Sequence, residues 1–188
     1  QELADNFLSY LSVERALSKN TLLSYGRDLK KYIAYLQELG IKSLSQTTRK
    51  EISDFMFKLK DEGLSSVSIA RNLAAIKVFC RFLVRERIMQ DDPSALVDSP
   101  KLWKRIPDSL SEREVNNLLS AADVSRIQGV RDRAILELMY ATGLRVSEAV
   151  NLKIQDVNLE VGFLRCLGKG SKERIVPLGK EAISAVNK

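Results

Sequence analysis

The sequence predicts a mainly α-helical chain in two parts, a four-helix domain followed by the first part of an α+β domain. Three observations carry that prediction. Before residue 100 the apolar residues recur at helical spacing and no stretch alternates like a strand. Between Gln90 and Ser109 the periodicity stops, and Pro93, Pro100 and Pro107 fall in that window. Beyond it, two short alternating runs flank Gly168-Lys169-Gly170-Ser171, as strands flank a hairpin turn.

Taken in order, Glu2 to Glu14 carry Leu3, Phe7, Leu8 and Leu11 on one helical face. Ser18 precedes a long helix with Leu22, Tyr25, Leu29, Ile33 and Leu36 inward, ending at Gly40. A third helix starts at Thr48, where Thr48 and Glu51 form a capping-box pattern, and Gly63 ends it. Its apolar face is Ile52, Phe55, Met56 and Leu59. Ser65 or Ser66 opens a fourth helix through Arg87, with Ile69, Leu73, Ile76, Cys80 and Leu83 inward. This sets a helical domain over residues 1–90 and an interdomain linker over 91–109. In the linker Lys101, Lys104 and Arg105 flank Trp103, a composition suited to a DNA backbone or simply to solvent.

The second domain spans 110–188. Ser111 and Glu114 form another capping box, and that helix runs through Ala122. Val130 to Thr142 reads as a helix with Ile135, Leu138 and Met139 buried, closed by Gly143. Val146 to Leu152 is a short helix, Phe163–Leu167 and Glu173–Pro177 are the strands, and a last helix begins at Gly179. A sequence that stops in a helix so soon after a hairpin reads as a domain cut short.

Composition bounds the function classes. Hydrophobic residues make up 45% and charged residues 29% of 188, which is ordinary for a globular chain. No apolar run approaches the ~20 residues of a membrane span, and Gln1 to Asn6 lack the pattern of a secretory signal, so a cytoplasmic protein with no membrane partner is expected. Cys80 and Cys166 stand alone and there is no histidine, so a zinc site is not expected and both thiols read as packed and reduced. A net charge of +6 is compatible with a polyanionic partner.

Two segments are candidates for chemistry. In Ala141-Thr142-Gly143-Leu144-Arg145-Val146-Ser147-Glu148, Gly143 suits a left-handed cap and Arg145 then starts the next helix. Free N–H groups there favour an anion, and a guanidinium grips two phosphate oxygens at once. Glu148, one turn on, is placed to hold that guanidinium; an ordinary surface ion pair is the plainer reading. In Gly168-Lys169-Gly170-Ser171-Lys172-Glu173-Arg174, glycines set Lys169 on a hairpin tip, either as a proton donor or as part of a solvated turn. The spacing is not that of a nucleotide-binding P-loop. A metal-dependent nuclease using Asp132, Glu148 and Asp156 is a weaker alternative, because their spacing is no ligand pattern.

The stretches "RDRAILELMYATGLRVSEAVNL" and "GKGSKERIVPLG", in this order, closely resemble the tyrosine recombinase (phage integrase) family, and specifically its Xer branch. "LSKNTLLSYGRDLKKY" and "SSVSIARNLAAIKVFCRFL" resemble that family's core-binding, SAM-like domain. The resemblance covers nearly the whole chain.

It implies an enzyme that cuts one DNA strand by attack of a tyrosine on a phosphate, leaves a 3′-phosphotyrosyl bond, and rejoins strands without metal or nucleotide cofactor. By motif position Arg145 matches the first catalytic arginine and Lys169 the lysine that protonates the leaving 5′-oxygen, with Lys172 as its rival; Glu148 matches a supporting acidic position. The implied partners are a duplex recombination site and further recombinase protomers in a tetrameric synapse. Lys19, Asn20 and Thr21 at a helix start, Arg71 and Arg81 on the fourth helix, and Lys172 and Arg174 at the hairpin are the expected DNA contacts. The first is otherwise a simple cap; Lys77, Arg81 and Arg85 are otherwise a solvated stripe.

The family's later motifs, a histidine-rich stretch with a second arginine and then the nucleophilic tyrosine, are missing here. Tyr10, Tyr25, Tyr32, Tyr35 and Tyr140 all read as helical and at or near core-facing positions, so none is expected to be the nucleophile. The chain alone is therefore expected to be inactive. The alternative is a naturally short, inactive module that binds DNA or pairs with a complete recombinase.

Overall fold

The structure, a computed structural model, describes residues 2–101, 107–168 and 173–188. Trp103, Lys104, Arg105, Lys169 and Lys172 therefore lie outside the described residues. The chain divides into two compact units, Gln1–Arg105 and Ile106–Lys188.

The first unit holds helices α1 (Glu2–Val13), α2 (Lys19–Glu38), α3 (Arg49–Asp61) and α4 (Ser66–Arg85). Their starts are chemically marked. Ser18 accepts from Thr21 N and Ser65 from Ser68 N. At α3 the cap is reciprocal: Lys50 N donates to Thr48 Oγ1 at 3.1 Å and Thr48 N donates to Glu51 Oε2 at 2.7 Å. Left-handed glycines, Gly40 at φ 74° and Gly63 at φ 81°, turn the chain after α2 and α3.

One apolar core joins the four helices. It is built from Phe7 and Leu11, then Leu29, Tyr32 and Leu36, then Ile52, Phe55 and Leu59, then Leu73, Ile76, Phe79 and Leu83, all fully or almost fully buried. Phe7 meets Phe79 edge-on at 5.1 Å, and Phe55 lies 5.2 Å from both Tyr32 and Tyr35. Each such ring contributes roughly 1.5–3 kcal/mol by leaving water. On α2 the most buried residues are Leu29, Tyr32 and Leu36, while Leu22, Tyr25 and Ile33 are half-buried.

The core continues past α4. Met89 and Val97 are buried in it, and Ser94 is fully buried. The chain turns at the left-handed Arg87, with Ile88 N donating to Leu83 O at 2.9 Å, and Ser94 N then donates to Asp92 Oδ1 at 2.8 Å in an Asx turn. Helix α4 thus ends at the left-handed Arg87, φ 59°, well before Pro93, and the segment that follows stays with the unit.

The second unit holds α5 (Glu112–Ser120), α6 (Ile127–Thr142), α7 (Val146–Val150), β1 (Val157–Asn158), β2 (Phe163–Leu167), β3 (Glu173–Pro177) and α8 (Lys180–Val186). The strands form an antiparallel sheet in the order β1-β2-β3, with Leu164 opposite Val176 and Cys166 opposite Arg174. Leu138, Leu144, Leu164, Cys166, Leu178 and Ala182 form its core.

Three expectations need correction here. Helix α6 begins at Ile127, one turn before Val130, because Asp123 and Ser125 already form a turn that delivers the chain into it. Ile135 and Met139 are only half-buried. Tyr140 is 59% exposed: two residues past Leu138, it falls on the opposite face of α6. The two-residue strand β1 was not foreseen, being too short to show a pattern.

Candidate catalytic cluster and nucleic-acid interface

Helix α6 ends at Gly143, whose φ of 62° is the left-handed cap, with Gly143 N donating to Met139 O at 2.9 Å. The turn sends Leu144 into the core and leaves Arg145 outside as the first residue of the next cap. Glu148, one turn into α7, reaches back to it. Arg145 N donates to Glu148 Oε2 and Arg145 Nη1 to Glu148 Oε1, both at 2.9 Å.

A second guanidinium arrives from the hairpin. Arg174 stands opposite Cys166, on the face of the sheet that meets the core. Its Nη1 donates to Glu148 Oε1 at 3.2 Å and its Nη2 to Oε2 at 2.8 Å. The Glu148 side chain is 6% exposed, whereas Arg174 is 37% and Arg145 64% exposed. One covered carboxylate thus orients two arginines that both remain partly exposed. The hydrogen bonds from Arg174 and then from Arg145 N pull the Glu148 carboxyl down from 4.5 to about 2, so it is a permanent anion at neutral pH.

The cluster carries a net charge of +1, with both cations outermost. That is the arrangement for binding a phosphate and stabilising charge that develops on it. The Arg145 N–H, expected to be free for an anion, is instead taken by Glu148. Helix α7 has only five residues, so the guanidiniums and not the helix end supply the positive potential. Arg174 was expected only to touch DNA; its bond to Glu148 spans 26 residues and depends on the hairpin register.

A cleft of about 490 Å³ lies beside Glu148, lined among others by Asn151, Lys153, Asp156, Arg165 and Glu173. Its charges are of both signs, so it is no anion seat by itself. Asp132 is paired with Arg131 at 2.7 Å, and Asp156 accepts from Lys153 N at 3.1 Å. Among the described residues no group of three or more His, Cys, Asp or Glu side chains that could hold a metal ion occurs, so Asp132, Glu148 and Asp156 do not form one.

In the helical unit Lys19 and Asn20 are exposed at the start of α2, while Thr21 is drawn into the cap, its hydroxyl 2.9 Å from Ser18 Oγ. On α4, Arg85 is tied to Glu14 and Glu86 at 3.0 Å each and lies 3.9 Å over the Tyr10 ring. Arg81 is exposed and forms no ion pair among the described residues. Arg71 pairs with the buried Asp28. Sequence reading missed that pair, although an acidic residue in line with Tyr25, Leu29 and Tyr32 is its signal. Cys80 and Cys166 are both buried free thiols, and burial pushes Cys80 up to about 12.

The family model of the phage integrase N-terminal SAM-like domain matches residues 4–87, and that of the phage integrase family matches residues 108–188. The chain belongs to the phage integrase family. Two integrase-family relatives are tyrosine recombinase XerD of Halalkalibacterium halodurans and tyrosine recombinase XerD of Staphylococcus aureus. The first is 46% identical over 181 residues, 96% of this chain and 60% of that protein. The second is 45% identical over 183 residues, 97% of this chain and 62% of that protein. The chain thus spans about 60% of the length of the curated relatives it matches.

The integrase fold is recognisable in solved structures too. A lambda integrase dimer bound to a COC′ core site matches with a TM-score of 0.79 at 22% identity, over 99% of this chain and 67% of that one. The Tn1549 transposon integrase in complex with circular intermediate DNA matches with a TM-score of 0.68 at 17% identity, over 98% and 63%. At these identities the likeness is one of fold: a SAM-like helical domain, then part of an integrase catalytic domain. No described helix is long and apolar enough to cross a membrane.

Proposed function

We propose that the protein represented by this chain carries out site-specific DNA recombination by strand cleavage and rejoining. In the reaction a tyrosine hydroxyl gives up its proton to solvent as its oxygen attacks the scissile phosphorus, the bond from phosphorus to the 5′-oxygen breaks, and a 3′-phosphotyrosyl linkage forms. The departing 5′-oxygen takes up a proton and leaves as a hydroxyl. Arg145 stabilises the charge on the non-bridging oxygens, held in place by Glu148, and Lys169 supplies the proton, with Lys172 as the alternative donor. Residues 1–90 grip duplex DNA and 110–188 contribute part of the active site, joined by residues 91–109, of which Val97 packs on the helical core. The nucleophilic tyrosine belongs to sequence outside these 188 residues. Lys19, Asn20, Thr21, Arg71, Arg81, Lys172 and Arg174 contribute the DNA contacts. The partners are a duplex recombination site and other protomers in a tetrameric synapse, in the cytoplasm, with no metal or nucleotide cofactor.

The observation that carries this reading is the exposed Arg145 fixed by the covered carboxylate of Glu148, inside the segment that matches the integrase family. The test uses the complete parent protein. Arg145→Ala should abolish cleavage with DNA binding retained, since such a donor contributes about 2.7–4 kcal/mol to the transition state. Lys169→Ala should slow cleavage and be rescued by a 5′-phosphorothiolate substrate, because a sulfur leaving group needs no proton. Rescue of Lys172→Ala instead moves that role to Lys172. Unimpaired cleavage by Arg145→Ala would refute the reading.

A further inference from the structure

Asp28 stands in the buried stripe of α2 with only 3% of its surface exposed. A carboxylate in that position loses hydration that a partner must offset. The partner is Arg71 on α4, whose Nη1 donates to Asp28 Oδ2 and lies 3.5 Å from the Ser24 carbonyl oxygen. The Arg71 side chain is nevertheless 42% exposed. Among the described residues its Nε and Nη2 make no hydrogen bond. Burial raises the Asp28 carboxyl above its usual range, and Arg71, then Lys31 and Arg27, oppose that rise.

We propose that Asp28 is a positioning residue for DNA binding: it pins one side of the Arg71 guanidinium so that the Nε–Nη2 edge is presented to a backbone phosphate. The inference rests on the DNA-binding reading above. A free arginine gives up side-chain entropy when it docks, and a guanidinium already held at Nη1 gives up less. The open edge is the one that binds two oxygens side by side. Arg85 provides the contrast on the same helix. Its charge is satisfied by Glu14 and Glu86 and its face lies on Tyr10, so it has no comparable edge to offer.

The sign of one substitution separates positioning from simple electrostatics. Removing a negative charge beside a polyanion should tighten binding. If Asp28 positions Arg71, Asp28→Asn should instead weaken it. The experiment is fluorescence anisotropy with a labelled mixed-sequence duplex at several salt concentrations, with thermal unfolding of each variant to confirm that it is folded. For Asp28→Asn the expected loss is roughly threefold to tenfold, part of what a hydrogen bond to a charged group contributes. In an Arg71→Ala background Asp28→Asn should cause no further loss. Binding by Asp28→Asn that equals or exceeds wild type, or losses that simply add, would overturn the proposal. If the variants do not fold, the wild-type chain decides by NMR of the Arg71 guanidinium. Adding duplex should shift its Nε resonance while the Nη1 protons stay protected by Asp28; an unmoved Nε resonance overturns the proposal. A wild-type chain with no affinity for duplex overturns the DNA-binding reading and this inference together. Indifference to Asp28→Asn in a wild-type chain that does bind overturns only the inference.

Discussion

Arg174 crosses from β3 to lay two donors on the carboxylate of Glu148, 3.2 Å to Oε1 and 2.8 Å to Oε2. Arg145 occupies the same carboxylate from the other side of the α6–α7 turn. Glu148 is thus the shared anchor of a local pair and a long-range one, and each prediction about the second unit depends on its charge.

The first prediction concerns pH. The Glu148 carboxyl is depressed from 4.5 to about 2 in the folded chain. A depressed acid stabilises the fold in full above its unfolded value and loses that contribution as pH falls through the folded value. The second unit should therefore lose stability between 4.5 and about 2, and Glu148→Gln should flatten the profile in that window. Thermal unfolding of both proteins across the window checks it. Comparing the two isolates Glu148 from Glu51, Glu114 and Asp123, which are also lowered.

Phe55→Ala should destabilise the helical unit by about 3–5 kcal/mol, because the ring is buried against Tyr32 and Tyr35 and the cavity cannot collapse easily. Phe57→Ala is the matched control. That ring is 64% exposed, and its loss should stay within about 0.5 kcal/mol. Urea unfolding of the two variants measures the difference.

Binding to duplex DNA should weaken steeply with salt. Arg81→Ala should lower the slope of log K against log salt by about 0.9, the value of one phosphate contact. Arg85→Ala should leave the slope nearly unchanged, since its charge is already neutralised within the chain. Equal slopes for wild type and Arg81→Ala would remove Arg81 from the interface.

Limited proteolysis across residues 91–109 should spare its first part. Ser94 and Val97 are buried, the Asp92 turn holds Ser94, and Val97 N donates to Ser94 O at 3.1 Å. Mass spectrometry of early fragments should find no primary cut between Asp92 and Val97. A dominant cut there would mean that the turn opens readily in solution.

Much of the fold was legible because its signals are local. The capping boxes at Thr48/Glu51 and Ser111/Glu114 and the glycine after Thr142 each mark a boundary within four residues. Arg145 and Glu148 could be paired for the same reason: three residues at the start of a helix bring them together. Contacts that need the tertiary fold were not legible. Asp28 and Arg71 are 43 residues apart, and Arg174 reaches Glu148 only in one hairpin register. Tyr140 was misplaced because α6 has a weakly separated apolar face, with a buried Glu137 next to Leu138. Lys169 and Lys172 lie outside the described residues, so their roles rest on the motif.

The pairing of β2 with β3 has a consequence for how the hairpin can go wrong. Along β3 the side chains alternate, Glu173 and Ile175 outward, Arg174 and Val176 toward the core. A slip by one residue exchanges the two sets. Glu173 or Ile175 would then stand where Arg174 stands, and Glu148 would face either a second carboxylate or a hydrocarbon. The ion pair therefore acts as a reading-frame check on the sheet. It penalises a one-residue slip, and so favours the register in which Cys166 stands opposite Arg174 and Leu167 opposite Glu173.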